Sequence, residues 1–207
     1  MRRFALIALV AATVSVPAIA QYVSDAEPFI TAVRERDGDK ATQLIDGRPS
    51  VVNTRNLKGE VALNIVIARS DDNWMRFLIG KGADVNLAAS NGDTPLITAA
   101  RVGYTDAVEL LLALGARVDA TNKMGETALI TAVQQREVDA VKLLLEHGAN
   151  PDKADSAAGY SARDYAKRDT RNPQLLAAIE ASKAKAATSK PASPKSNDLD
   201  SFTLKPQ

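Results

Sequence analysis

The fold of this chain is decided by residues 91–119, which read NGDTPLITAARVGYTDAVELLLALGARVD. The opening of this pattern recurs on either side, since residues 58–63 read KGEVAL and residues 124–129 read MGETAL. Two sets of glycines keep a spacing of 33 residues, namely Gly59, Gly92 and Gly125, and Gly82, Gly115 and Gly148. Each set shows the same 33-residue spacing two times in succession, so the chain is built from repeats.

Each repeat predicts a pair of short helices followed by a loop. Thr94 is a good N-cap, and Pro95 suits the first helical position because its missing N–H costs nothing there. The first helix is therefore expected to end near Gly103, and the second to run over residues 106–114. The turn residues of segment 116–125 predict a protruding hairpin loop. Since such a unit cannot bury its apolar faces alone, the units must stack.

The period and these motifs resemble the ankyrin repeat family, most closely over residues 56–154. Thr94-Pro95-Leu96 matches the helix-opening signature of that family, and the Gly-Ala segment after each second helix matches a further landmark. The resemblance implies an all-α solenoid of about five stacked repeats, with degenerate units as caps. The histidine that usually follows Thr-Pro-Leu is replaced here by Asn64, Ile97 and Ile130, so its hydrogen bonds between repeats are expected to be absent or replaced.

The sequence divides into a signal peptide (1–20), a repeat domain (21–182) and a tail (183–207). The repeat units are expected at about residues 25–55, 56–88, 89–121, 122–154 and 155–182. In the first cap, Pro28 is expected to open the first helix, and residues 51–53 to enter a hairpin. Gly159 follows Gly125 by 34 residues, which places one inserted residue at Asp155 or a neighbour.

The first 20 residues have the pattern of a secretory signal. Arg2 and Arg3 precede the apolar run 4–16, whose 13 residues are too few for a bilayer span, which needs roughly 20. Cleavage is predicted between Ala20 and Gln21, and the expected destination is a bacterial periplasm. An uncleaved anchor is the alternative.

The tail has a different composition from the repeats, with five lysines against two aspartates and few apolar residues. A segment of this kind cannot bury enough surface to offset its ordering entropy, so disorder is expected over 183–207. Leu199, Phe202 and Leu204 are either a short motif that docks on a partner or apolar residues without a function in a disordered tail.

The residue inventory argues against catalysis. The chain has no cysteine and one histidine, which excludes thiol chemistry, cysteine-ligated metals and disulfides. His147 has no second histidine to complete a relay, and it is placed at a helix end. Asp71-Asp72-Asn73 falls in a turn, where capping of the next helix is favoured over metal binding. No enzyme activity, cofactor or metal is therefore predicted.

The resemblance to ankyrin repeats implies a concave face that binds another protein, built from hairpin tips and the ends of the first helices. Exposed positions carried over from the family pattern are Leu57, Lys58, Glu60, Arg69, Asn91, Asp93, Arg101, Lys123, Met124, Glu126, Gln134, Gln135 and Tyr160. The most suitable anchors are Leu57, Met124 and Tyr160, with Arg69 and Arg101 as charged ones. Residues 56–154 contain 10 Lys and Arg against 13 Asp and Glu, which argues against nucleic acid as the partner.

Three functions remain open at this level. The leading hypothesis is a non-catalytic, monomeric scaffold of the periplasm that holds a protein partner, with no membrane contact after signal cleavage. The second is an ankyrin effector directed at a host cell, and the third is an enzyme that uses surface carboxylates.

Overall fold

The computed structural model describes the backbone of residues 18–189 and the side chains of residues 25–182. Within 18–189, ten α-helices follow one another in five pairs. The pairs are α1 Ala18–Glu35 with α2 Gly38–Gly47, α3 Ala62–Ala68 with α4 Asp72–Gly80, α5 Pro95–Arg101 with α6 Thr105–Ala113, α7 Ala128–Gln135 with α8 Val138–Glu146, and α9 Ala162–Arg168 with α10 Pro173–Ser189. A 3₁₀ helix spans Pro49–Asn53. The predicted all-α solenoid is confirmed.

The first helices of successive pairs pack directly on one another along the stack. Small residues at the contact, such as the fully buried Ala99, Ala100 and Ala132, allow this close approach. The second helices α4, α6 and α8 are each nine residues long and bury Leu78, Leu111 and Leu144. We call the side formed by the ends of the first helices and the hairpin loops the concave side, following the resemblance to ankyrin repeats.

The hairpin loops are joined into a continuous ladder by backbone hydrogen bonds. The amide of Ser90 donates to the carbonyl of Gly59 at 2.8 Å, that of Lys123 to Asn91 at 3.1 Å and that of Ser156 to Met124 at 2.9 Å. Each bond joins the tip of one loop to the next, so the loops stack in register with the helices. This ladder fixes the line of loop tips along one edge of the concave side.

Short polar caps begin the first helices. Thr94 and Thr127 accept hydrogen bonds from the amides of Ile97 and Ile130 at 3.3 and 3.2 Å. Ser161 and Asp164 form a reciprocal capping box at the start of α9. Helices of seven or eight residues are marginal on their own, so these caps and the stacking contacts together hold them in place.

The fold differs from expectation at the first cap. Helix α1 begins at Ala18, ten residues before Pro28, and continues through this proline. Pro28 is exposed, so water can satisfy the carbonyl group that loses its helical hydrogen bond. Residues 51–53 belong to the 3₁₀ helix rather than to a hairpin, because Pro49 favours the first turn of a helix and Val51 and Val52 are buried.

Two further observations concern the C-terminal end. Of the two placements predicted for the inserted residue, the structure favours a neighbour of Asp155 within the turn 156–159, because Asp155 is buried and its side chain binds the amides of Ala158 and Gly159. Helix α10 continues to Ser189, beyond the expected boundary at Ser182, over an alanine- and lysine-rich segment with high helix propensity. The signal segment 1–17 and residues 190–207 lie outside the described residues. The predicted cleavage bond between Ala20 and Gln21 falls within α1 and stays a prediction.

Candidate functional site

The concave side has a floor made of two facing rows of residues. One row stands at the base of the hairpins, where each loop enters a first helix, and the other stands at the ends of α3, α5, α7 and α9. The first row is Glu60, Asp93, Glu126 and Tyr160, and the second is Ala68, Arg101, Gln134 and Arg168. We call these eight residues the floor. Successive units pair them differently, so the floor changes its chemistry along the stack.

Asp93 and Arg101 close the floor in the third unit. The guanidinium of Arg101 donates from Nη2 to both carboxylate oxygens of Asp93, at 3.0 and 2.9 Å. Asp93 also accepts hydrogen bonds from the amide groups of Asn91, at 2.7 Å, and Asn122, at 2.9 Å. The residue is only 8% exposed, so its charge is neutralised by these donors rather than by water.

Glu60 is held differently, because the residue facing it in its own unit is Ala68. Arg34, from the end of α1 in the preceding unit, donates to the Glu60 carboxylate, and Asn56 donates at 2.7 Å. Burial would raise the pKa of Glu60, but these two donors together hold it below its ordinary value. The carboxylate is therefore ionised near neutral pH. A groove lined by Val61, Asn64 and Ile65 lies beside it.

Asn122 organises the hairpin of the fourth unit from within. Its side-chain oxygen accepts hydrogen bonds from the amides of Met124 and Glu126, at 2.9 and 3.0 Å. Its side-chain nitrogen donates to the carboxylates of Glu126 and Asp93, both at 2.9 Å. This single side chain links the loop to the floor of two adjacent units. Asn56 makes the equivalent bonds to Lys58 and Glu60.

The fifth unit replaces the ion pair by an aromatic contact. The guanidinium of Arg168 lies 4.0 Å from the centre of the Tyr160 ring, in the geometry of a cation–π interaction. Tyr160 meets Tyr165 edge to face, with ring centres 5.7 Å apart. The hydroxyl of Tyr165 donates to Asp155 at 2.6 Å, and this bond raises the pKa of Tyr165. The aromatic pair thus supports Arg168 at the edge of the floor.

The loop tips stand above the floor and are open to solvent. Leu57 is 79% exposed and Met124 is 52% exposed, which makes them the two most exposed large apolar side chains among the described residues. Lys58, Asn91 and Lys123 are also exposed. These five residues, which we call the tip row, face solvent, and their role in binding a partner stays a prediction.

The prediction that Asp93 and Glu126 are exposed is wrong, because they are 8% and 7% exposed and hydrogen-bonded to Asn122. Their positions next to glycine turn inward at the hairpin base. Arg69 is half-buried and donates to the carbonyls of Val33 and Arg34 and to Asp71, so it ties two units together rather than standing free.

Most of the remaining predicted residues lie on or beside the floor. Arg101 and Tyr160 are half-buried there, Gln134 is half-buried and Gln135 is exposed at the end of α7. The structure also brings in residues that sequence reasoning missed, above all Arg34, Asn122, Arg136 and Arg168. The repeat register could have indicated Arg168, since it occupies in the fifth unit the position of Arg101.

One of the missing family histidines has a replacement. The side-chain nitrogen of Asn64 donates to the carbonyl of Asp93 at 2.9 Å and to the hydroxyl of Thr98 at 3.0 Å. These bonds join the second unit to the third. Ile97 and Ile130 are fully buried at the equivalent positions, where apolar packing takes the place of a hydrogen bond.

The sites considered for chemistry are structural. His147 lies exposed at the end of α8, and its Nδ1 donates to the carbonyl of Leu143 at 2.9 Å. Asp71 caps α4 by accepting from the amide of Trp74 at 3.2 Å, as its position in the turn predicts. Among the residues described, no group of histidine, aspartate and glutamate side chains is arranged to hold a metal ion.

Comparison with known families now identifies this architecture. Residues 29–122 and 63–155 each match the family model for ankyrin repeats in three copies, and together they span more than half of the chain. The chain belongs to the ankyrin repeat family. Ankyrin repeats generally mediate protein–protein interactions, and the proteins that contain them are typically non-catalytic binding scaffolds. No curated protein is similar enough to this ankyrin repeat protein to count as a match. No helix within its described residues has the length and apolar character needed to span a membrane.

Proposed function

We propose that this ankyrin repeat protein is a non-catalytic scaffold of the bacterial periplasm that holds a folded protein partner on its concave side. The observation that carries the proposal is the tip row, where two large apolar side chains remain exposed above a floor in which Glu60, Asp93 and Glu126 are already hydrogen-bonded. A large apolar side chain that stands out from a rigid face can anchor a partner by entering a pocket on its surface.

The stiffness of the face supports the same function. The backbone ladder between Gly59 and Ser90, and between Asn91 and Lys123, fixes the spacing of the loop tips before any partner arrives. The ion pair between Asp93 and Arg101 fixes the floor below them. A face that is already ordered loses little conformational entropy on binding, so more of the contact energy appears as affinity.

The choice of partner follows from the charges of the face. The floor carries Glu60, Asp93 and Glu126 together with Arg101 and Arg168, and Arg34 reaches it from α1. Both signs therefore alternate along the surface, without the basic stripe that binding to a phosphate backbone requires. A protein surface with its own mixed charges and one or two apolar pockets is complementary to this pattern.

A cross-linking experiment tests the proposal. We expect a photoreactive amino acid placed at Met124 to cross-link to one partner protein in intact cells, whereas the same probe at Leu114 does not. Leu114 is a matched control because it is 46% exposed and lies at the end of α6, away from the loop tips. Mass spectrometry of the product identifies the partner. Equal products from both positions, or none from Met124, would contradict the proposal.

The surface itself is tested with purified protein and that partner. Leu57→Glu with Met124→Glu places two charges on the tip row, and we expect it to weaken binding at least tenfold in isothermal titration calorimetry. Ala113→Glu with Leu114→Glu adds the same charge at two exposed positions of the second-helix side, and it should leave the affinity within about twofold.

The proposed location has its own test. The predicted signal peptide leads us to expect that fractionated cells contain the protein in the periplasm, with Gln21 as its first residue by N-terminal sequencing. Replacing Ala18 and Ala20 by bulky residues should block this processing, since the cleaving enzyme requires small side chains there. Unprocessed protein in the cytoplasm of wild-type cells would contradict the proposed location.

A further inference from the structure

The C-terminal end of the concave side contains an open cleft of about 460 Å³ between the end of α7 and the end of α9. Its lining includes Gln134, Arg136, Arg168, Asp169 and Arg171. Three guanidinium groups therefore meet one carboxylate, which leaves the cleft with two positive charges in excess. Gln134 and Arg168 also belong to the floor, so the cleft continues directly from it.

Arg136 and Arg168 are held in place without using up their hydrogen-bond donors. Arg136 donates from Nε to Asp169 at 2.5 Å. Its two terminal nitrogens form no hydrogen bond with the described residues, so they can donate to a ligand. The guanidinium carbon of Arg168 lies 4.0 Å from the centre of the Tyr160 ring, a contact that uses none of its N–H donors. The described part of the chain contains ten salt bridges, one of them between Arg136 and Asp169. Neither Arg168 nor Arg171 takes part in any of these ten.

Asp169 holds Arg136 and the backbone of Arg171 in place, but its single negative charge does not neutralise the three arginines of the cleft. One carboxylate oxygen accepts from Arg136 and the other from the backbone amide of Arg171, at 3.0 Å. The hydrogen bond from Arg136 is the main cause that lowers the pKa of Asp169, so the carboxylate is charged at neutral pH. Arg136 adopts a left-handed backbone, with φ of 63°, which directs its side chain from the turn after α7 toward Asp169.

We propose that this cleft binds an acidic segment of the partner protein, with carboxylates of that segment paired to Arg136, Arg168 and Arg171. The inference rests on the proposed function, because it assumes a polypeptide lying along the floor, and it adds the chemistry of one end of that polypeptide. Guanidinium groups with free terminal nitrogens bind carboxylates through paired hydrogen bonds.

The test is a fluorescence anisotropy titration of the full chain with a labelled eight-residue peptide that alternates Asp or Glu with Ser. We expect this peptide to bind at low ionic strength, and a matched peptide with Asn and Gln in place of the acids to bind at least tenfold more weakly. Affinity for the acidic peptide should fall as salt is added, since the contact is between exposed charges. Equal binding of the two peptides would overturn the proposal.

Two double variants locate the site. Arg168→Gln with Arg171→Gln should weaken binding of the acidic peptide at least tenfold. Lys40→Gln with Arg117→Gln removes the same charge from exposed positions outside the cleft and should change the affinity by less than about twofold. Thermal melts followed by circular dichroism check that both variants fold. If both double variants lost affinity for the acidic peptide equally, the effect would come from overall charge, and the assignment of the binding site to the cleft would be wrong.

Two other results separate this inference from the function on which it rests. If inorganic phosphate binds in the cleft and the acidic peptide does not, the site holds a small anion and the proposal is wrong. If the partner cross-linked at Met124 binds Arg168→Gln with Arg171→Gln as tightly as it binds the wild type, the acidic-segment proposal fails while the scaffold function stands. Weakened binding of that partner supports both.

Discussion

Gly92→Ala is expected to destabilise the protein by about 2–5 kcal/mol, because the added methyl group strains the backbone and clashes with the next unit. Gly92 has a φ of 86°, a backbone conformation that costs about 1–2 kcal/mol for a residue with a side chain. A β-carbon there would also lie 2.6 Å from the backbone nitrogen of Lys123. Since that nitrogen forms the ladder bond to Asn91, the clash of about 1–3 kcal/mol falls on the interface between two units.

Gly82→Ala is the matched control. Gly82 has a φ of 87°, but a β-carbon there would meet nothing within 4 Å, so only the backbone cost applies. Urea unfolding followed by circular dichroism at 222 nm should give a clearly larger loss for Gly92→Ala. Because units in a solenoid are coupled through their neighbours, Gly92→Ala should also broaden the transition or split it. Equal losses in the two variants would show that the loop ladder contributes nothing to stability.

Asn122→Ala is expected to destabilise the protein by about 2–3 kcal/mol. The variant removes an acceptor from two backbone amides and a donor from two carboxylates, all within a residue that is only 9% exposed. Asn122→Asp keeps the acceptor but places a third carboxylate beside Asp93 and Glu126, so it should be at least as damaging near neutral pH. Urea unfolding of both variants measures the effect.

Asn73→Asp makes the same chemical change at an exposed position in the first turn of α4. It should alter the free energy of unfolding by no more than about 0.5 kcal/mol, because a negative charge near a helix N-terminus is tolerated or slightly favourable. A loss at Asn73→Asp as large as that at Asn122→Asp would mean that the buried network around Asp93 is not responsible. In that case amide hydrogen exchange of Asn122→Asp would show no selective opening of the hairpin of the fourth unit.

Both predictions concern contacts between units rather than within them, and this reflects how the face is built. The ladder positions the tip row, while Asn122 and Asp93 connect the floor of the third and fourth units. Loss of either contact should therefore weaken partner binding and stability together. A tip-row variant such as Met124→Glu should weaken binding alone, because its side chain is exposed. The two classes of variant separate the surface from its support.

The repeat pattern was enough to predict the helix pairs and their caps. Thr94 and Pro95 begin α5 where expected, and Thr127 begins α7 in the same register. Gly103 and Gly115 follow α5 and α6 closely. These features depend on the local backbone and on a period that each unit repeats, so they can be read along the chain. The boundaries of the two end units were less well predicted, because α1 and α10 lack a neighbour on one side and run longer than the pattern.

The burial of the carboxylates on the floor could not be predicted from the repeat pattern. Glu60, Asp93 and Glu126 occupy one repeat position, yet their partners come from three different places, namely α1, the end of α5 and the hairpin of the fourth unit. Whether a carboxylate at that position faces water depends on which cation or amide the adjacent unit supplies. The cleft lined by Arg136, Arg168 and Arg171 was missed for the same reason, since it forms between two units.

The order of residues in one unit thus determined by itself that this protein is a stack of helix pairs, because capping, turn formation and apolar periodicity act within a few residues of the chain. Only the tertiary structure decided which polar groups are buried and where positive charge collects. Those properties depend on distances between side chains about 33 residues apart, and such distances are set by how one unit packs on the next.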